Sequence, residues 1–198
     1  MKKKESHSMI YMLSLIFLII VLIIVSVKLL FQFDNILTLM DKNNEVLVEK
    51  IGDSYKIELS KGYLDINIQE YPSYFGLNKI DGKKMALVCI STDIFTSKIP
   101  YLLIIILLTV IVYKSMKYYS PFITEIMLYT KMIGIILLYI GIFQRLIDQT
   151  FLSKLIFSKL YFKNPIQWEY IITGFLLILL SDILKKGCKL QKEADETL

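Results

Sequence analysis

Residues 9–31 form a 23-residue apolar block broken only by Ser14, Ser26 and Lys28. A helix of about 20 apolar residues spans the hydrocarbon core of a bilayer, so this block fixes lipid as the chain's first partner. Lys2, Lys3 and Lys4 precede it, an order shared with secretory signals. A signal's apolar region runs only about 7–15 residues and ends in a small-x-small cleavage site. Val27, Lys28, Leu29, Leu30 and Phe31 offer no such site. The reading is an uncleaved anchor, with Lys28 extending its stem toward the interface. The whole chain of 198 residues is 55% hydrophobic and 21% charged. Soluble domains carry about 45–50% apolar and roughly 25% charged residues. The excess lies in blocks, which excludes both an ordinary soluble domain and disorder.

Three later blocks repeat the signal. Residues 99–113 are apolar apart from Thr109, and extension to 94–116 gives a second span with Lys98 and Lys114 at its edges. Ser120-Pro121 reads as a helix entry, with Ser as N-cap and Pro at the first helical position. Glu125 then falls in an early turn, where the helix dipole favours an acid. The third span has its cleanest stretch at 132–143, with Gly134 and Gly141 on one face, open to a close neighbour. Residues 151–163 are too short to span. Lys154, Lys159 and Lys163 among large apolar residues predict a helix lying in the interface. After Asn164-Pro165, residues 166–184 form a fourth span, with Trp168 and Tyr170 in the aromatic-belt position.

Residues 32–98 differ. Leu64, Ile66 and Ile68 alternate with Asp65, Asn67 and Gln69, and Tyr55, Ile57 and Leu59 alternate with Lys56 and Glu58. That period of two marks half-buried strands. Ser60-Lys61-Gly62 suits a hairpin turn. Residues 45–50 predict an earlier strand, Asp81-Gly82 a turn, and 85–90 a further strand. The predicted fold class is therefore a mainly α membrane protein: four transmembrane helices with a small extracytoplasmic β-rich module between helices 1 and 2. Its parts are 1–31 (N-terminal tail and first helix), 32–98 (the β-rich module) and 99–198 (helices 2–4, interfacial segments and a charged tail).

The net charge is +5, and 22 of the 23 basic residues are Lys, many flanking apolar blocks. That pattern fits anchoring to lipid phosphates, with no direct nucleic-acid contact. Lys2–Lys4, the Lys114–Lys117–Lys131 connector and the Lys185, Lys186, Lys189 and Lys192 tail place both termini in the cytoplasm by the positive-inside rule. The expected location is a bacterial cytoplasmic membrane, crossed several times.

Little in the chain carries catalysis. His7 is the only histidine, so no His-based triad or zinc-binding HExxH exists, and the eight glycines never form a phosphate loop. Cys89 and Cys188 are too few for a four-thiolate zinc site, and no metal or cofactor is expected. Arg145, Asp148 and Glu169 are the most suggestive polar set. Charges at membrane depth are usually paired. A salt-bridged clamp at the helix ends is preferred over an ion or ligand path. Asp182 stands three and four residues before Lys185 and Lys186, spacings that pair on a helix. The tail from Gly187 alternates basic and acidic residues, including Glu193 and Asp195, and suits either a solvated end or a docking surface. The Tyr-rich stretch 71–76 reads as packing against helix ends.

Some of these segments resemble a known family. Pro121-Phe122 with Thr124 and Glu125 opens the connector helix. Residues 174–187 close the last span through Ser181-Asp182-Ile183-Leu184-Lys185-Lys186-Gly187, and 190–198 follow as an acidic stretch ending Glu196-Thr197-Leu198. Together these resemble the bacterial four-pass membrane family catalogued as domain of unknown function 2975. That family closes with an acid, a basic pair and Gly, then a Leu, an acidic stretch and a Thr-Val-like end. Ile183-Leu184 stands where the family has an aromatic, Glu196 where it has an apolar residue, and the first loop is larger than usual. The specific match covers about the last 80 residues. The resemblance implies no established activity. Members are often encoded beside a small helix-turn-helix regulator, which implies a membrane partner that sequesters a cytoplasmic DNA-binding protein. Pro121, Phe122, Glu125, Asp182, Lys185, Lys186, Glu193 and Asp195 are the implied contact residues. The alternative is a small transporter component or an immunity-type protective membrane protein.

Overall fold

In the computed structural model, the described residues are 2–41, 48–51, 54–59, 62–67, 82–118, 124–157, 160 and 162–197. They form helix α1 (Lys2–Met40), strands β1 (Val48–Ile51), β2 (Ser54–Leu59) and β3 (Gly62–Asn67), helix α2 (Gly82–Asp93), a π-helical turn (Ile94–Lys98), and helices α3 (Ile99–Tyr118), α4 (Thr124–Phe157) and α5 (Trp168–Thr197). Two compact units result. The first takes Met1–Ser26, Pro100–Gly141 and Gln167–Leu198, and the second takes Val27–Ile99 and Ile142–Ile166.

Among the described residues three helices are long and apolar enough to cross a membrane: Met9–Met40, Lys83–Tyr118 and Thr124–Lys154. The expectation of four spans around a β-rich module is overturned on both counts. α5 does not qualify as a crossing helix, because every 18-residue stretch of it carries at least three charged residues, Asp182 always with two or more of Glu169, Lys185 and Lys186. The region expected as a module is helical at both ends. α1 continues to Met40 because Phe33, Ile36, Leu37 and Leu39 keep the apolar spacing of a helix after residue 31. Residues 85–90, expected as a strand, lie in α2. Met85, Ala86, Ile90 and Ile94 are all buried, a spacing that lines one helical face.

Among the described residues the sheet has three short antiparallel strands in the order β1-β2-β3. Ile57 pairs with Val48 and Leu64, and Leu59 with Gly62. Ile57 is fully buried in a cluster with Leu39, Met85, Ala86, Ile90 and Ile94, with Leu64, Cys89 and Leu152 packed around it. So the second unit is a small helix–sheet core, not a free-standing β meander.

The π turn has a local cause. Pro100 lacks an N–H and its ring crowds the carbonyl four residues back, that of Thr96. The chain widens by one residue there: the Ile99 N–H donates to the Ile94 carbonyl. The interfacial helix expected at 151–163 is instead the end of α4, with Ser153 fully buried, followed from Leu160 by a non-helical segment.

In the first unit α4 and α5 run antiparallel with backbones in contact. A Cβ on Gly134 would sit 2.7 Å from the Gly174 carbonyl oxygen, one on Gly174 2.7 Å from that of Gly134, and one on Gly141 2.7 Å from Ile171 Cγ1. The Gln167 N–H donates to the Gly141 carbonyl at 2.8 Å. Buried Ser181 donates to the Met127 carbonyl at 2.8 Å. Met127, Gly134 and Gly141 thus meet Ser181, Gly174 and Gln167, two ladders with a step of seven, the repeat of near-parallel coiled-coil packing. α1 offers a narrower seam: Tyr11, Ser14, Leu15, Leu18, Val21, Leu22, Val25, Ser26 and Leu29 are half-buried at helical spacing, while the residues between them are exposed.

Candidate functional site

Hydroxyls in these helices are satisfied by their own backbone. Ser14, Thr38, Thr92, Thr109, Thr130, Thr150 and Thr173 each donate to the carbonyl four residues back at 2.6–2.9 Å. This is how a helix carries hydroxyls where water is scarce. Departures from it therefore mark the polar groups with another job.

One set lies in the second unit. Gln32 on α1 donates its amide to Asp93 Oδ2 at 2.8 Å. Asp93, the last residue of α2, also meets Lys98 Nζ at 3.6 Å, both more than a third exposed. The π turn aims Thr96 at α4, where its hydroxyl is shared between the Thr92 carbonyl at 2.8 Å and Asp148 Oδ1 at 3.1 Å. Thr96 is 1% exposed. Gln32 Oε1 is fully enclosed and has no hydrogen-bond partner. The next residue of α4 after Asp148, buried Gln149, bonds to both backbone groups of Lys163. Lys83 on α2 also donates to the Asp41 carbonyl at the end of α1. The chemistry available is hydrogen bonding between helices. Among the described residues no group of three His, Cys, Asp or Glu forms a metal site.

The predicted trio of Arg145, Asp148 and Glu169 is divided. Asp148 is half-buried and held by Thr96, while Arg145 is exposed on α4, and no ion pair joins the two among the described residues. The clamp at this end of the helices is therefore Thr96–Asp148 and not Arg145–Asp148. Glu169 is exposed in the first turn of α5, in the other unit.

The second set lies in the first unit. Lys114 on α3 forms an ion pair with Glu125 in the first turn of α4 and stands 5.6 Å from the centre of the Tyr129 ring. Tyr101 donates to Tyr170 at 2.7 Å, linking α3 to α5. The tail begins where Ser181 bonds to Met127. Asp182, Lys185 and Lys186 are exposed, and among the described residues no ion pair joins Asp182 to either lysine. Lys189 pairs with Glu193 at 3.6 Å. Asp195 lies on the same helix. Pro121 and Phe122 lie outside the described residues, as does the stretch 71–76. Gln32, Thr96, Gln149 and Ser181 carry much of this geometry and none was singled out from the sequence. The available signal was a polar residue inside an apolar helical run.

No family model, curated protein or solved structure matches the chain.

Proposed function

We propose that the chain is a non-enzymatic multi-pass protein of a bacterial cytoplasmic membrane, with both ends in the cytoplasm, that holds or releases a small helix-turn-helix transcription regulator. One observation carries this reading. α5 runs unbroken to Thr197 past its apolar stretch, its root fixed by Ser181 to the start of α4, and its last turns present charge. A helix end anchored at its base and charged beyond it is a suitable docking arm. The resemblance of residues 174–198 to a family encoded beside such regulators adds support. The orientation is supported by the lysines at both chain ends and at the α3–α4 junction. Copurification of the intact protein in mild detergent tests the proposal. A retained DNA-binding protein, lost on deletion of 189–198 together with a change in its target transcripts, supports it. A chain that retains no such protein, and whose deletion shifts no transcript, refutes it.

The alternative of a transporter component or immunity-type protector draws on Asp148, half-buried and held by a hydroxyl beside a π turn, a feature often found at functional positions. Asp148→Asn abolishing ion flux or toxin resistance while regulator binding persists would favour it.

A further inference from the structure

Leu160 and residues 162–166 form a largely exposed, pinned loop segment whose chemistry fits a particular lipid. Buried Gln149 donates to the Lys163 carbonyl at 2.7 Å and accepts the Lys163 N–H at 3.0 Å. Both backbone groups of one residue are thereby fixed, as a neighbouring strand would fix them. Asn164 follows with φ of 47°, a left-handed turn that Asn tolerates. On this fixed backbone Leu160, Phe162 and Ile166 are 60%, 45% and 41% exposed.

The electrostatics are one-sided. Between Asp148 and Glu169 the sequence holds Lys154, Lys159 and Lys163 and no acid. Lys154 and Lys163 are exposed and make no ion pair among the described residues. Lys154 also ends the crossing stretch of α4, so the loop follows directly from a bilayer edge. Large apolar side chains beside lysines with long stems suit the boundary between acyl chains and headgroups. A zwitterionic surface would leave the lysines' charge unmatched.

We infer that Leu160 and residues 162–166, with Lys154, are a docking surface for anionic phospholipid, with Leu160, Phe162 and Ile166 at the acyl boundary and Lys154 and Lys163 on headgroup phosphates. The inference stands apart from the regulator reading and survives its failure.

The chain's single tryptophan makes the test direct. Trp168→Phe with Phe162→Trp moves the only indole onto the loop. The full chain is reconstituted in phosphatidylcholine bilayers containing equal fractions of brominated phosphatidylglycerol or brominated phosphatidylcholine. Anionic lipid is expected at the loop with about thirtyfold preference, the fold-change two membrane-adjacent lysines support, read as stronger quenching by the brominated phosphatidylglycerol. Lys154→Gln with Lys163→Gln is expected to equalise the two lipids, and added inorganic phosphate to change nothing. Equal quenching before the lysines are removed, or no quenching at all, overturns the inference; so does competition by free phosphate, which would make the site one for a soluble anion. Native mass spectrometry of the chain without the indole transfer gives an independent reading. Phosphatidylglycerol retained by the starting protein and lost from Lys163→Gln supports the inference, and equal retention by both overturns it.

Discussion

The two units hold together by different physics. In the first, α4 and α5 touch backbone to backbone through Gly134, Gly141 and Gly174, and hydrogen bonds at Gln167 and Ser181 close the two ends of the seam. In the second, bulky aliphatic residues converge on Ile57, and polar pairs fasten α1 to α2 and α2 to α4. Close approach is what a helix pair uses where lipid competes equally for apolar surface. A buried aliphatic cluster gains most where water is the alternative.

Each unit carries one native thiol, half-buried Cys89 in the second and half-buried Cys188 in the first. Maleimide labelling in detergent therefore reads the units separately. The largest effect is expected from Ile57→Ala, which removes the centre of the aliphatic cluster and destabilises the second unit by about 2–5 kcal/mol. Cys89 should label faster and Cys188 should not change. If both thiols respond alike, the two units are one cooperative body and the contrast fails.

Next comes Gly134→Ala. A methyl there meets a backbone oxygen that cannot rotate away, at an expected cost of about 1–3 kcal/mol. Now Cys188 should accelerate while Cys89 stays protected. Faster labelling of neither would mean that the seam has room the glycine contacts deny.

How much of this was readable beforehand depends on which residues carried the signal. Residues 9–31 and 132–143 announce helices through unbroken apolarity, and the seven-residue spacing of Gly134 and Gly141 announces a close partner. The six apolar residues at 85–90 do not decide between strand and helix, because a run that short fits either period. Their burial alongside Ile94 decides it. Gln32, Asp34 and Asn35 read as the start of a loop, yet Ile36 and Leu39 pull them into α1 by packing. Lysines at 154, 159 and 163 read as an interfacial helix, but Lys154 lies in α4 and Gln149 pins a non-helical loop at Lys163. Of the predicted polar trio, Asp148 found a hydroxyl, because the π turn before Pro100 delivers Thr96 to it. No sequence period encodes that delivery.

Smaller effects sharpen the polar half of the comparison. Gln149→Leu leaves two Lys163 backbone groups without their partner and should cost about 1–3 kcal/mol if they stay buried. Hydrogen exchange should quicken at residue 163 and not in α5. Thr96→Val removes the bond to Asp148, and interhelical hydrogen bonds in membranes average about 0.6 kcal/mol. A stability loss well above that would show that Thr96 does more than fasten α2 to α4.

We propose that both chain ends face the cytoplasm; α5, too charged to count as a crossing helix, reaches that side by packing along α4 to the level of Met127. A chain with Cys89→Ser and Cys188→Ser, given a thiol by Asn67→Cys or by Asp195→Cys, tests this in intact cells with a membrane-impermeant maleimide. The account predicts labelling at 67 and protection at 195 until the membrane is permeabilised. Labelling at 195 in intact cells, or protection at 67, contradicts it.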